Sequence, residues 1–143
     1  MIDGGLKDKF KKGLSKWHWQ PIETGTGQGV PDLEFCSDAG VSGWIENKKI
    51  TSGSNFLDHP ISMHQAAWIK RRIRMGGRAF VAVRKHHGGG PRLGDSVDIL
   101  YLFHGREVDA IISGGIMGAR PLGAWGGGAR GWNWGQIGEI LSK

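Results

Sequence analysis

Residues 31–37 and residues 42–48 each alternate in polarity, with a turn at Asp38-Ala39-Gly40 between them. In the first stretch Leu33 and Phe35 share one face, and Asp32, Glu34 and Cys36 share the other. In the second, Trp44, Glu46 and Lys48 lie on one face and Ile45 and Asn47 on the other. A side-chain period of two is that of an extended strand. Asp and Gly supply the turn chemistry. The pattern predicts a β-hairpin and fixes which polar groups it presents together.

Around the hairpin, helix and strand patterns follow one another. Leu6, Phe10, Leu14 and Trp17 recur at helical spacing, which predicts a helix over 5–17. Lys7, Lys9, Lys11, Lys12 and Lys16 cover its remaining faces as solvated charge. Residues 18–23 read as a connection or an edge strand, because Pro21 cannot donate to a ladder. Residues 24–29 contain Gly25, Gly27 and Gly29 and read as a flexible turn. They lack the Gly-Lys-Ser/Thr ending of a P-loop. A polar loop over 51–60 leads to a second helix, capped by Ser62 and ended by Gly76-Gly77. Arg71, Arg72, Arg74 and Arg78 crowd its end, where positive charge complements the helix dipole.

The nearly continuous apolar run at 79–84 predicts a buried central strand. Residues 85–94 read as a basic, glycine-rich loop holding His86 and His87, 96–103 as a strand and 105–112 as a short helix. Glycines then crowd the chain among Trp125, Trp132, Trp134, Arg120 and Arg130, up to a short terminal helix at 136–141. The order predicts an α/β domain over 1–112 with a mixed central sheet flanked by helices. Residues 113–143 form a Gly/Trp/Arg-rich extension packed on the domain or on a dimer partner. Its tryptophans read as packing groups before they read as base-stacking groups.

At 143 residues the chain is expected to be one domain with a proper core. Lys and Arg outnumber Asp and Glu by 19 to 13, a net charge of +6 that suits a polyanion such as nucleic acid. No apolar run is long enough to suggest a membrane span. The first residues carry no apolar signal core. Cys36, the sole cysteine, can form no internal disulfide and reads as a small buried hydrophobe. The expected location is the cytoplasm, or a host cytoplasm for a viral chain. No paired cysteines and no zinc-like histidine spacing are present, and neither are Gly-x-Ser-x-Gly or Walker patterns.

The chemistry lies on the hairpin. Glu46 and Lys48 are two apart on one strand, and Asp32 starts the strand beside it. Two carboxylates can hold a hard divalent cation together with a backbone carbonyl, here that of Asn47, and waters. Such an ion polarises a scissile phosphate and acidifies an attacking water, and Lys48 is placed to orient that water or offset phosphate charge. Taken alone, a glutamate two residues before a lysine is more often a solvated ion pair.

The surroundings add specificity. Gly29-Val30-Pro31-Asp32 is followed by Glu46-Asn47-Lys48, then by Gln65 on a helix, then by Gly77 and the strand 79–84. This succession resembles the PD-(D/E)XK nuclease superfamily, and most closely its VRR-Nuc branch with its small stand-alone phage-type nucleases. The resemblance covers residues 17–84. It implies an αβββαβ core, DNA cleavage, dependence on Mg²⁺ with Mn²⁺ able to substitute, metal ligation by Asp32 and Glu46, a catalytic Lys48 and a supporting Gln65. Members of the superfamily often carry a further acid on the first helix. Asp8 and Glu23 are the candidates here, with Glu23 favoured; either is otherwise a surface charge.

The function expected from this resemblance is a metal-dependent endonuclease. Its substrate would be branched or structured DNA, cut by a homodimer in the manner of Holliday-junction resolvases. Lys70, Arg71, Arg74, Arg78, Lys85 and Arg92 are the candidate DNA contacts. The competing expectation is a nucleic-acid-binding protein without catalysis, using the basic surface and the Gly/Arg/Trp tail.

Overall fold

A computed structural model of the chain describes residues 2–23, 28–51, 55–88 and 96–143. Six strands form one sheet, side by side in the order in which they occur along the chain. They are β1 (His18–Pro21), β2 (Leu33–Cys36), β3 (Ser42–Ile50), β4 (Ala79–His87), β5 (Val97–His104) and β6 (Gly123–Trp125). Every neighbouring pair is antiparallel except β3 and β4, which run parallel. A parallel pair needs a crossover, and the helix α2 (Met63–Arg74) provides it. The chain is therefore α/β with a mixed sheet, as its pattern predicts.

The alternation of side chains on β4 divides the core in two. Phe80 and Ala82 face α1 (Leu6–Gly13) and α4 (Trp134–Ser142), in a cluster with Leu6, Phe10, Ile137 and Leu141. Ala79, Val81 and Val83 face α2 and α3 (Val108–Gly114), in a cluster with Ala66, Ile69, Val108 and Ile111. A strand buried on both faces must be apolar at consecutive positions, which accounts for the run at 79–84.

The helix α2 begins and ends where its sequence says it should. Ser62 Oγ accepts from the Gln65 backbone N–H, and Gln65 Oε1 accepts from the Ser62 N–H, closing a capping box. Gly76 has φ 87 and ends the helix in the left-handed region, beyond the helix C-cap.

The structure corrects three expectations. The first helix stops at Gly13 instead of reaching Trp17. A Cβ on Gly13 would overlap the Trp134 ring, so the close approach of α4 occupies the space a longer side chain would need. Trp17 still reaches the core from the following turn, where it stacks on Trp19 at 5.8 Å. Next, His86 and His87 belong to β4, not to a loop, because pairing with β5 runs on to His87↔Val97. Last, the glycine-rich segment carries a strand that its composition did not indicate, ahead of the terminal helix that its pattern did. It contributes β6, paired to β5, and α4. Trp132 is buried in the cluster beside α1, and Trp134 Nε1 donates to the Ala129 carbonyl.

Candidate active site

Asp32 lies just before β2 at the point where that strand has left β3 behind. Its Oδ1 accepts from the Asn47 backbone N–H at 3.2 Å and from Asn47 Nδ2 at 3.0 Å. The carboxylate thus takes over a backbone donor on β3 beyond the last β2 partner, Leu33↔Ile45. On β3 itself Glu46, Asn47 and Lys48 are all buried, at 3%, 1% and 5% exposure. Three consecutive polar residues at this depth are expensive unless they have partners.

Those partners are incomplete. Glu46 Oε2 and Asn47 Oδ1 are buried without a hydrogen bond among the described residues. Burial, with the nearby Asp32 charge adding to it, pushes Glu46 up from 4.5 to about 8, against the pull of Lys48 and Lys7. Burial also raises Asp32 from 3.8 to about 6, although the Asn47 bonds and Lys7 oppose it. No ion pair joins Glu46 to Lys48 among the described residues. The hairpin therefore carries two carboxylates that resist ionisation where they sit.

The strand alternation puts Glu46 and Lys48 on the face of α2, as their spacing predicts, and Asn47 on the face of α1. Asp32 reaches β3 through Asn47, while its charge still acts on Glu46. It opens into a cleft of about 660 Å³, lined also by Asp3, Lys7, Asp8, Ile22 and Glu23. Both candidates for the further acid, Asp8 and Glu23, therefore share a cleft with Asp32. Among the described residues no three His, Cys, Asp or Glu side chains gather closely enough to form a metal cluster.

Gln65 stands in the first turn of α2 with its Oε1 engaged by the capping box. Gly29 brings the segment before Asp32 against that turn. It has φ 82, and a Cβ there would collide with the His64 carbonyl.

The candidate DNA contacts are placed unevenly. Arg71 and Arg74 are exposed on α2. Lys70 is exposed too and pairs with Asp109 at 3.0 Å. Arg78 is turned inward and donates to the Leu141 carbonyl from Nη2 at 2.7 Å. Lys85 is half-buried on β4, and Arg92 lies outside the described residues.

Sequence reasoning missed two groups at the cleft. Asp3 is buried, accepts from the Gly5 and Lys7 backbone N–H groups, and thereby holds the entry to α1. Lys7, grouped in the sequence reading with the solvated lysines, faces the cleft and acts on both Asp32 and Glu46. The one local signal was Asp3-Gly4-Gly5 ahead of the helix: both glycines have positive φ, and Asp3 caps the entry to α1 beside Lys7.

No family model matches this chain, and neither a curated protein nor a solved structure does.

Proposed function

We propose that the protein is a divalent-metal-dependent deoxyribonuclease of PD-(D/E)XK type. The observation that carries this reading is the orphaned Oε2 of Glu46, buried next to a second carboxylate whose ionisation is also suppressed. Such a pair is costly to keep for structure alone. A hard cation with oxygen ligands offsets that cost, and the donors present are all oxygens, which suits Mg²⁺ or Mn²⁺. Asp32, Glu46 and the Asn47 carbonyl would hold the ion, with Glu23 or Asp8 reaching in from the cleft. Bound there, it would supply Lewis-acid polarisation of a phosphate and a more acidic water.

In this reading the chain's own residues divide the remaining work. Asn47 fixes the Asp32 carboxylate through two bonds. Lys48 stays close to Glu46 on one strand face and offsets charge on the phosphate or orients the water. Lys7 draws the backbone phosphate into the cleft. By the family resemblance, the substrate is branched or structured DNA and the working form a homodimer.

The test offers a four-way junction, a flap, a linear duplex and a single strand to the purified chain, with Mg²⁺, Mn²⁺ or EDTA. Cutting is expected with either metal and not with EDTA. Glu46→Gln, Asp32→Asn and Lys48→Ala should each abolish it. Cutting in EDTA, or full activity in all three variants, would overturn the reading. Binding without cutting in any metal would favour a non-catalytic nucleic-acid binder, which the exposed Arg71 and Arg74 also suit. A solution mass that shows only monomer would remove the homodimer.

A further inference from the structure

The strongest unassigned feature lies on α2. Trp68, Arg71, Arg72 and Met75 line a groove of about 360 Å³. Their spacings of three, four and seven place them on one stripe of the helix. Arg72 is firmly built in. Its guanidinium carbon lies 4.4 Å from the centroid of the Trp68 ring and 5.4 Å from that of Trp44. The two indoles meet edge to face with centroids 5.2 Å apart. The stem of Arg72 rests on Gly77, where a Cβ would run into its Cγ and Cδ. A planar cation is thus held at both ends.

The charge around it is not balanced. The helix contains no Asp or Glu, and Arg71 and Arg74 are exposed. No ion pair joins Arg71, Arg72 or Arg74 to an acid among the described residues. Guanidinium and indole planes are the surfaces on which unpaired bases stack, and exposed arginines neutralise the phosphates between them. A duplex hides its base faces, so only an unpaired base fits such a surface. Trp44 stands two residues before Glu46 on the same face of β3, which sets their Cα atoms about 7 Å apart.

We propose that the Trp68–Arg72 groove holds an unpaired base of single-stranded DNA next to the candidate nuclease site, with Arg71 and Arg74 on the flanking phosphates. The choice of DNA rests on the nuclease reading; the stacking surface does not.

The test is run in EDTA, so that no strand is cut. Fluorescence anisotropy compares the affinity of the full chain for three strands of about twelve units, within the usual site size. They are an oligothymidylate, an abasic deoxyribose-phosphate strand and an oligouridylate. The thymidylate should bind roughly fivefold to a hundredfold tighter than the abasic strand, the range expected of one stacked base. Trp68→Leu should lose that preference and keep its affinity for the abasic strand. Arg72→Lys, which keeps the charge and loses the plane, should do the same, and carries the test if Trp68→Leu fails to fold. Arg71→Ala with Arg74→Ala should keep the base preference and lower the logarithmic salt slope by about 1.4.

Equal affinity of the unmodified chain for thymidylate and abasic strand would overturn the proposal. So would an undiminished preference in both platform variants. Tighter binding of uridylate than of thymidylate would overturn the choice of DNA. Cutting is read separately, through Glu46 and Lys48 with metal present, so either idea can fail without the other.

Discussion

Asn47 donates twice to the same oxygen of Asp32, once from its backbone N–H and once from its side-chain amide. A carboxylate held by one oxygen keeps a fixed orientation while its other oxygen carries no hydrogen bond among the described residues. Glu46, the neighbouring residue on β3, has its Oε2 buried without a hydrogen bond among the described residues. Asn47 is therefore a positioning residue for Asp32.

Asn47→Ala should cost about 1–2 kcal/mol of stability, the usual effect of losing a part-buried side-chain hydrogen bond. It should also lower metal-dependent cutting at least tenfold, because Asp32 then keeps only the backbone bond and is less firmly oriented. Urea unfolding and single-turnover cleavage measure the two effects. Unchanged cleavage would remove the positioning role.

Stability without metal should fall as pH rises from 5 to 9. Both carboxylates have folded-state values above their ordinary ones, Asp32 at about 6 and Glu46 at about 8. The folded chain therefore holds more protons than the unfolded one across this window, and stability is lost as pH climbs through each value. His104 acts in the opposite sense. Burial, with Arg106 and Arg78 near it, holds it below its usual range, so its contribution grows with pH towards 6.5. Glu46→Gln isolates the carboxylate effect. The variant should melt higher than the unmodified chain at pH 9 in EDTA and nearly level with it at pH 5.

Mg²⁺ should reverse that trend. A cation that binds ionised Glu46 must displace its proton, so binding at pH 7 should release close to one proton and tighten up to about pH 8. Calorimetry in two buffers of different ionisation enthalpy reads the proton count. Glu46→Gln should release none.

Gly29→Ala should separate the loop before Asp32 from α2. The residue needs a left-handed φ, and its Cβ would enter the His64 carbonyl. A loss of about 1–3 kcal/mol is expected for the backbone strain, with cleavage falling further than stability because Asp32 moves with the loop. Thermal melting and cleavage of the variant at a temperature where it remains folded give the comparison.

Much of the fold was legible because it rests on local rules. Ser62, Gln65 and Gly76 mark α2 with capping and turn chemistry that depends on few neighbours. The hairpin and the central strand follow from residue alternation and from apolar continuity. What escaped notice depends on distant contacts. Gly13, the last residue of α1, leaves room for the Trp134 ring over a hundred positions later, and no local pattern reports that. Lys7 looks in the sequence like one lysine among five, and only the fold places it in the cleft with Asp32. Asp32, Glu46 and Lys48 could be named from their spacing. That Asn47 would hold Asp32 could not, because its role depends on where β2 stops.

The sheet's strand order has a further consequence for synthesis. As the ribosome releases the chain, each strand can dock beside the one before it, and β3 remains an edge until α2 has crossed over and β4 has arrived. Until then Glu46 and Lys48 stand in water like any surface pair. Their dehydration is deferred to the step at which α2 packs on that face of the sheet and β4 pairs with β3. The nascent hairpin is spared an unfavourable burial that it could not sustain alone.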